Sequence, residues 1–300
     1  MLTVRAPASS ANLGPGYDCL SLALDLANVV HAEPAAETTV TVTGHGADRL
    51  PRDASNEIVR AAEAVFNARG RAAPTMRLTC ENAIPPARGL GSSSAARASG
   101  LLLGNRLLPD PLSADELLSL GAELEGHPDN IAACLLGGVQ VCVSTESRVE
   151  HCTVIPTLDL TTVVFVPDVP MATEEARAVL PRQISVETAV FNMGRAALLV
   201  AALAEGRGDL LRTATEDAIH QPPRGKIFPP MRALIEAALE AGALGAFLSG
   251  AGSSIMALVR PEAATAVEAG FVAVARRASV GGSPLRANID IRGAEVSGSW

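Results

Sequence analysis

Apolar and polar positions change rhythm several times along the chain. Leu20–Val30 is rich in apolar and β-branched residues, and Thr38–Val42 alternates threonine with valine; both predict strands near a sheet edge or on a half-buried face. At Ser55-Asn56-Glu57 an alanine-rich helical period begins; it runs to about Arg69 and stops at Gly70. Thr75–Cys80 reads as a strand, and a dense run of turn formers follows, Ile84-Pro-Pro-Ala-Arg-Gly-Leu-Gly91. Ser92–Leu108 is helical and ends before Pro109 and Pro111. A second helix spans Ser113–Glu125, broken by Gly126-His-Pro-Asp-Asn130, which starts a short helix ending at Gly137-Gly138. Val139–Val143 and Thr161–Val166 read as strands. The stretch Ser144–Pro156 between them is the expected domain boundary, dividing 1–152 from 153–300. The second half predicts helices near Glu174–Leu180, Val186–Ala204, Asp209–Ala218 and Pro230–Ala241, then a glycine-rich turn at Gly250–Gly252. Helices and strands mix without a steady βαβ alternation, which favours an α+β class over a doubly wound parallel sheet.

Composition narrows the function classes. The 300 residues are 48% hydrophobic and 19% charged, so core burial is not limiting, but only 3% are aromatic and the core must be aliphatic. A formal net charge of −8 argues against nucleic-acid or anionic-membrane partners, which need a basic surface. Lys226 is the single lysine. The odd set Cys19, Cys80, Cys134, Cys142 and Cys152 lacks a C-x-x-C pair and reads as free thiols in a reducing compartment. The start, Met1-Leu-Thr-Val-Arg-Ala-Pro, has no basic region followed by an apolar run, and Ala196–Ala204 is too short for a membrane span. A cytoplasmic location is expected.

The strongest chemical signal is Pro85-Pro-Ala-Arg-Gly-Leu-Gly-Ser-Ser-Ser-Ala-Ala96. Gly89 and Gly91 allow positive φ and close approach of backbone to a ligand. The helix that follows starts with unpaired N–H groups and the positive end of its dipole, a fit for phosphate oxygens. Ser92, Ser93 and Ser94 add hydroxyls for phosphate or magnesium. No Gly-Lys-Ser/Thr follows, so this is not a Walker loop, and no G-x-S-x-G nucleophile elbow is present. An isolated Gly-Ser string of this kind is usually only a serine-capped turn.

The string resembles the second motif of the GHMP kinases. Leu248-Ser-Gly-Ala-Gly-Ser-Ser-Ile-Met-Ala-Leu258 resembles their third, a glycine-rich loop beside the phosphates. Within that superfamily, Ala6-Pro-Ala-Ser-Ser-Ala-Asn-Leu-Gly-Pro-Gly-Tyr-Asp18 is similar to the opening of homoserine kinases. So is Glu125-Gly-His-Pro-Asp-Asn130 followed by Leu135-Leu-Gly-Gly138. Two departures are Tyr17, where phenylalanine is usual, and Ser253, where proline is frequent. The resemblance implies a two-domain GHMP kinase fold: an N-terminal ATP-binding domain with a left-handed βαβ crossover, and a ferredoxin-like C-terminal domain.

It also implies site residues. Pro86, Arg88, Gly89, Leu90, Gly91 and Ser92 through Ala95 (Ser93 and Ser94 included) would line the ATP site, with Gly250 and Gly252 beside it. Asn56, otherwise a plain helix cap, would contact the adenine. Ser93 and Glu123 would hold Mg²⁺, with Glu125 as the alternate because the register at this helix end is open. An acid at a helix C-terminus is mildly unfavourable and hints at a nearby cation. For L-homoserine, the resemblance implies Asn12, Asp18, His127 and Asp129 around the ammonium and hydroxyl. Thr173, Arg177 and Arg224 would be near the carboxylate. Taken alone, these residues read as turn caps and solvated charges. The implied reaction is phosphoryl transfer from ATP to the homoserine hydroxyl, without a required general base; Asp18 is the first suspect if one exists. A kinase for another alcohol and a non-catalytic binding relative are the alternatives. A homodimer is the assembly suggested by the family.

Overall fold

Strand pairing divides the chain into two sheets. The computed structural model describes residues 1–300. The first sheet is built from β1 (Leu2–Asn12), β2 (Gly16–Pro34), β3 (Thr39–Gly44), β4 (Met76–Asn82), β5 (Val139–Ser144) and β6 (Val149–Val154). The second takes β7 (Thr161–Pro167), β8 (Gly245–Leu248), β9 (Ile255–Val259) and β10 (Gly282–Ala287). Finally β11 (Glu295–Gly298) returns to the first sheet. Ten helices complete the chain: α1 (Glu57–Asn67), α2 (Ser92–Leu107), α3 (Ala114–Glu125), α4 (Asp129–Leu136), α5 (Thr173–Ala178), α6 (Val186–Glu205), α7 (Leu211–Ala214), α8 (Gln221–Arg224), α9 (Met231–Glu240) and α10 (Ala264–Arg277).

In the first sheet the order is β11-β1-β2-β4-β3, with β5 and β6 added along the other end of β2. Only β3 and β4 pair in parallel, joined through α1. The second sheet runs β10-β7-β9-β8 with every pair antiparallel. Numbered within that domain this is order 4-1-3-2, the split βαβ arrangement of a ferredoxin-like unit. The expected α+β class with a ferredoxin-like second half therefore describes the chain.

Local chemistry explains the helix ends that matter for the site. Asn56 caps α1, its side chain accepting from the Ile58 N–H at 3.0 Å. A reciprocal Ser113–Glu116 capping box opens α3, and Gly126 closes it at φ 84°. In contrast, α2 starts at Gly91, φ 65°, with no side-chain cap, so its first N–H groups stay open. A Cβ on Gly91 would lie 1.9 Å from Ser9 Oγ, and one on Gly89 would lie 2.0 Å from the Ser249 carbonyl oxygen. The loop backbone thus packs where only glycine fits.

Three differences from the sequence reading have physical reasons. β1 was not expected, because Leu2–Asn12 is rich in small residues, carries a proline at Pro7 and shows little alternation; pairing with β2 and β11 organises it. The stretch read as a linker contains β6, which forms a hairpin with β5. The sheets change over between Val154 and Thr161, while β11 rejoins β1 from the far end of the chain. The helix expected at Asp209–Ala218 is one short turn plus α7, ending where the Thr215 hydroxyl bonds back to the Leu211 carbonyl. α6 alone is long and apolar enough, by composition, to cross a bilayer. Its Leu199, Ala202 and Leu203 join the main core, and its buried Asn192 is hydrogen-bonded on both sides.

Candidate active site

Between the two sheets lies a cavity of about 500 Å³. The open N-terminus of α2 forms one wall. Gly89, Leu90, Gly91, Ser92, Ser93 and Ser94 line it, as do Pro86 and Gly250. Beyond the loop, Val30, Val42, Leu50, Pro51, Ile58 and Cys80 form an apolar slot at the capped start of α1. Asn56 sits at its rim, with its amide nitrogen donating to the Pro51 carbonyl at 2.7 Å. An apolar slot with a polar edge suits a nucleobase.

The carboxylate facing the loop is Glu125. Its side chain is 4% exposed, accepts a short hydrogen bond from Ser94 Oγ, and lies 3.7 Å from Arg97 Nη1. Burial raises its pKa above the ordinary value, against the opposing pull of His127, Ser94 and Arg97. Its other oxygen, Oε2, is buried without any hydrogen-bond partner. Glu123 is exposed on the opposite face of α3, in a surface groove with Arg69 and Glu116. The expectation that Glu123 faces the loop is therefore corrected: the acid there is its alternate, Glu125. Two residues apart on a helix are about 200° apart around its axis, so only one of this pair can face the cavity.

At the other end the cavity narrows to a polar pocket. Asp18 is held bidentately by Arg177, at 2.8 and 3.0 Å, and Arg177 also donates to the Tyr17 hydroxyl at 2.7 Å. His127 Nδ1 and Asp129 Oδ1 are 2.6 Å apart. Polar atoms of Asp18, His127 and Asp129 all lie within 4.8 Å of one another, a cluster able to surround one cation. Asn12 spends both ends of its amide on backbone: Nδ2 donates to the Gly250 carbonyl at 2.9 Å, and Oδ1 accepts from the Asp18 N–H at 3.1 Å. It ties the Asp18 turn to the glycine loop. Thr173 opens α5 and lines the pocket four residues before Arg177. Arg224 is 2% exposed and lines the same pocket.

Three other expected nucleotide residues lie outside the cavity lining. Arg88 turns into the seam between the sheets, where Nε donates to the Pro167 carbonyl at 2.7 Å and Nη2 donates to that of Asp168. Arginine there satisfies carbonyls at the end of β7 rather than phosphate. Ala95 is fully buried under the loop. Gly252, at φ 103°, shapes the turn against Leu248 and Met171. Ser253 donates to the Val169 carbonyl, tying the turn before β9 to the segment after β7.

Sequence reasoning also missed His220, Asp217 and Asn192, a fully buried polar chain behind the pocket. Asp217 accepts from Asn192 Nδ2 at 2.7 Å and from the N–H groups of Ile219, His220 and Gln221. The available signal was spacing: His220 precedes Arg224 by four, one helical turn.

An uncapped helix N-terminus beside a glycine loop, facing a pocket of paired acids and arginines across a ferredoxin-like seam, defines a small-molecule kinase. Comparison with known proteins agrees. Residues 56–138 match the family described as GHMP kinases N terminal domain, and 199–275 match GHMP kinases C terminal. A homoserine kinase of Desulfitobacterium hafniense is 41% identical over 272 residues, 91% of this chain and 92% of that protein. One of Deinococcus radiodurans is 43% identical over 254 residues, covering 85% and 83%. Among solved structures, homoserine kinase from Cytophaga hutchinsonii superposes with a TM-score of 0.88 at 29% identity, covering 99% of this chain and 97% of that one. Galactokinase of Lactococcus lactis, at 17% identity and TM-score 0.69, shares the fold. The chain belongs to the GHMP kinases and, within them, to the homoserine kinases.

Proposed function

We propose that this protein transfers the γ-phosphoryl group of ATP to the hydroxyl of L-homoserine, giving O-phospho-L-homoserine and ADP, a step toward threonine. One observation carries the reading: a single cavity joins the open N-terminus of α2 to a pocket holding both acids for an ammonium and arginines for a carboxylate. Phosphoryl transfer asks mainly for alignment and charge neutralisation. The N–H groups and dipole at Gly91–Ser94 would receive triphosphate oxygens without reorganising.

Glu125, Ser94 and Ser93 fit a hard cation, since they offer oxygen donors only and Glu125 Oε2 is an orphaned buried acceptor. Magnesium bound there would neutralise phosphate charge. Asp18 and Asp129 would take the α-ammonium, and Arg177 and Arg224 the carboxylate, leaving the side-chain hydroxyl toward the loop. Both Asp18 oxygens are already engaged by Arg177, which suits an anchor better than a proton acceptor. Holding the hydroxyl in line supplies the proximity advantage.

The test is a coupled ADP assay on L-homoserine, L-serine, mevalonate and galactose. Turnover with homoserine far above the other three is expected; preference for an acceptor without an ammonium group would overturn the reading. The same reading carries a cytoplasmic homodimer. Exposed Val186, Val190 and Met193 along α6 support self-association, and the solution mass checks it.

A further inference from the structure

Arg224 is buried, yet all but one of its nitrogens are already engaged. Nε donates to the Ala176 carbonyl at 3.1 Å. Nη1 donates to the Gly250 carbonyl at 3.0 Å and to His220 Nδ1 at 2.9 Å. Only Nη2 remains without a protein partner, so the residue presents a single amino group to the pocket it lines. The direction in which that group points is set by its three fixed acceptors.

Two of those acceptors are backbone carbonyls, and the third is an imidazole with 0% exposure. His220 Nε2 lies 2.7 Å from the Gly14 carbonyl. A carbonyl only accepts and a guanidinium only donates, so the tautomer is forced: hydrogen on Nε2, lone pair on Nδ1. Burial, together with the Arg224 charge, pushes the His220 pKa down to about 4 against the pull of Asp217, 3.7 Å away. The Gly14 end of this bridge is equally constrained, since a Cβ there would lie 2.1 Å from the Thr215 carbonyl oxygen. Gly14 begins the turn into Tyr17 and Asp18. Tyr17 in turn stacks near His220 (ring centroids 5.7 Å apart) and lies 5.5 Å from the Arg224 guanidinium carbon.

We propose that His220 is a positioning residue for the amino-acid half of the site. Its neutral ring aims Arg224 through Nδ1 and anchors the Gly14 turn that carries Asp18 through Nε2, fixing the distance between carboxylate grip and ammonium grip. The inference rests on reading Arg224 as a carboxylate grip.

Two substitutions separate the two ring nitrogens. Asparagine places an acceptor near the position of Nδ1, and glutamine places a donor near that of Nε2. H220Q should raise the KM for homoserine at least about tenfold, the scale of losing one hydrogen bond to a charged group, with the KM for ATP within about twofold. H220N keeps the acceptor for the charged Arg224 and loses only the neutral bond to the Gly14 carbonyl, so it should raise the homoserine KM by a smaller factor, about two- to fivefold. A homoserine KM for H220Q near the wild-type value, an equal rise in both KM values, or H220N as weak as H220Q would overturn the proposal. Should the variants fail to fold, imidazole nitrogen NMR of the unaltered chain decides it. His220 must show protonated Nε2 and bare Nδ1 at neutral pH, and a doubly protonated ring or the other tautomer overturns it. R224Q run alongside keeps the two ideas apart: if R224Q leaves the homoserine KM unchanged, the carboxylate-grip reading fails; if only H220Q does, the positioning role fails.

Discussion

Glu123 and Glu125 show how much one residue's direction decides. Both are acids near the end of α3, but one is solvated and the other is buried against Ser94 with an oxygen left over. Replacing Glu125 with glutamine should lower kcat on the order of a hundredfold, the scale of removing one preorganised electrostatic partner. Glu123→Gln should stay within about twofold, as exposed changes usually do. Steady-state kinetics at saturating magnesium-ATP compares the two. Equal effects would remove Glu125 from the site. The sequence did narrow the choice to this pair. It did not decide between them because helix phase at a terminus depends on which face packs, and α3 packs only in the folded chain.

Elements rather than residues build the nucleotide wall. The loop before α2 is stapled to the second half four times: by Arg88 to the end of β7, by the Met171 N–H to the Ala87 carbonyl at 3.0 Å, by the Ser254 N–H to the Arg88 carbonyl at 3.2 Å, and by the Ser249 hydroxyl to the Gly89 carbonyl at 2.6 Å. Arg88→Ala should therefore destabilise the whole chain by about 1–3 kcal/mol, the cost of leaving carbonyls unsatisfied. Urea unfolding measures it, and the variant should keep its ATP affinity within a few-fold once folded. A selective loss of ATP affinity at full stability would restore Arg88 to the phosphate site. From the sequence, an arginine in a phosphate loop reads as a phosphate ligand. Its actual targets lie about eighty residues further along the chain, beyond the reach of any local pattern.

The two halves of the molecule are closed by the chain's end. Asp290, 5% exposed, accepts from Arg5 at 2.6 Å and from the N–H groups of Arg292 and Gly293, while its own backbone bonds Ala23 and Gly138. Burial alone would raise its carboxyl pKa; the Arg292 amide and Arg5 overcome this and hold it below the ordinary range. A depressed native pKa gives stability above the unfolded value that is lost as pH falls through the native one. Asp290→Asn should thus cost about 1–3 kcal/mol at neutral pH. That cost should shrink below roughly pH 4, where the unfolded carboxyl begins to bind its proton. Denaturation midpoints across that range check it; a cost independent of pH would assign the effect to packing instead.

Some of this protein was written in local sequence. The glycine-serine loop, the helix it opens, the capping signals at Asn56, Ser113 and Gly126, and the helical period of α1 to α3 depend on neighbours a few residues apart, so they were legible. The string of motifs was enough to point to the class and its substrate. Tertiary structure alone decided the rest. It made β1 a strand, placed β6 inside an expected linker, brought β11 back to β1, chose Glu125 over Glu123, turned Arg88 away from the cavity, and set His220 behind Arg224. β6 pairs with the neighbouring β5 and His220 lies one helical turn from Arg224, but the others rest on partners tens to hundreds of residues away, supplied only when the sheets and helices pack.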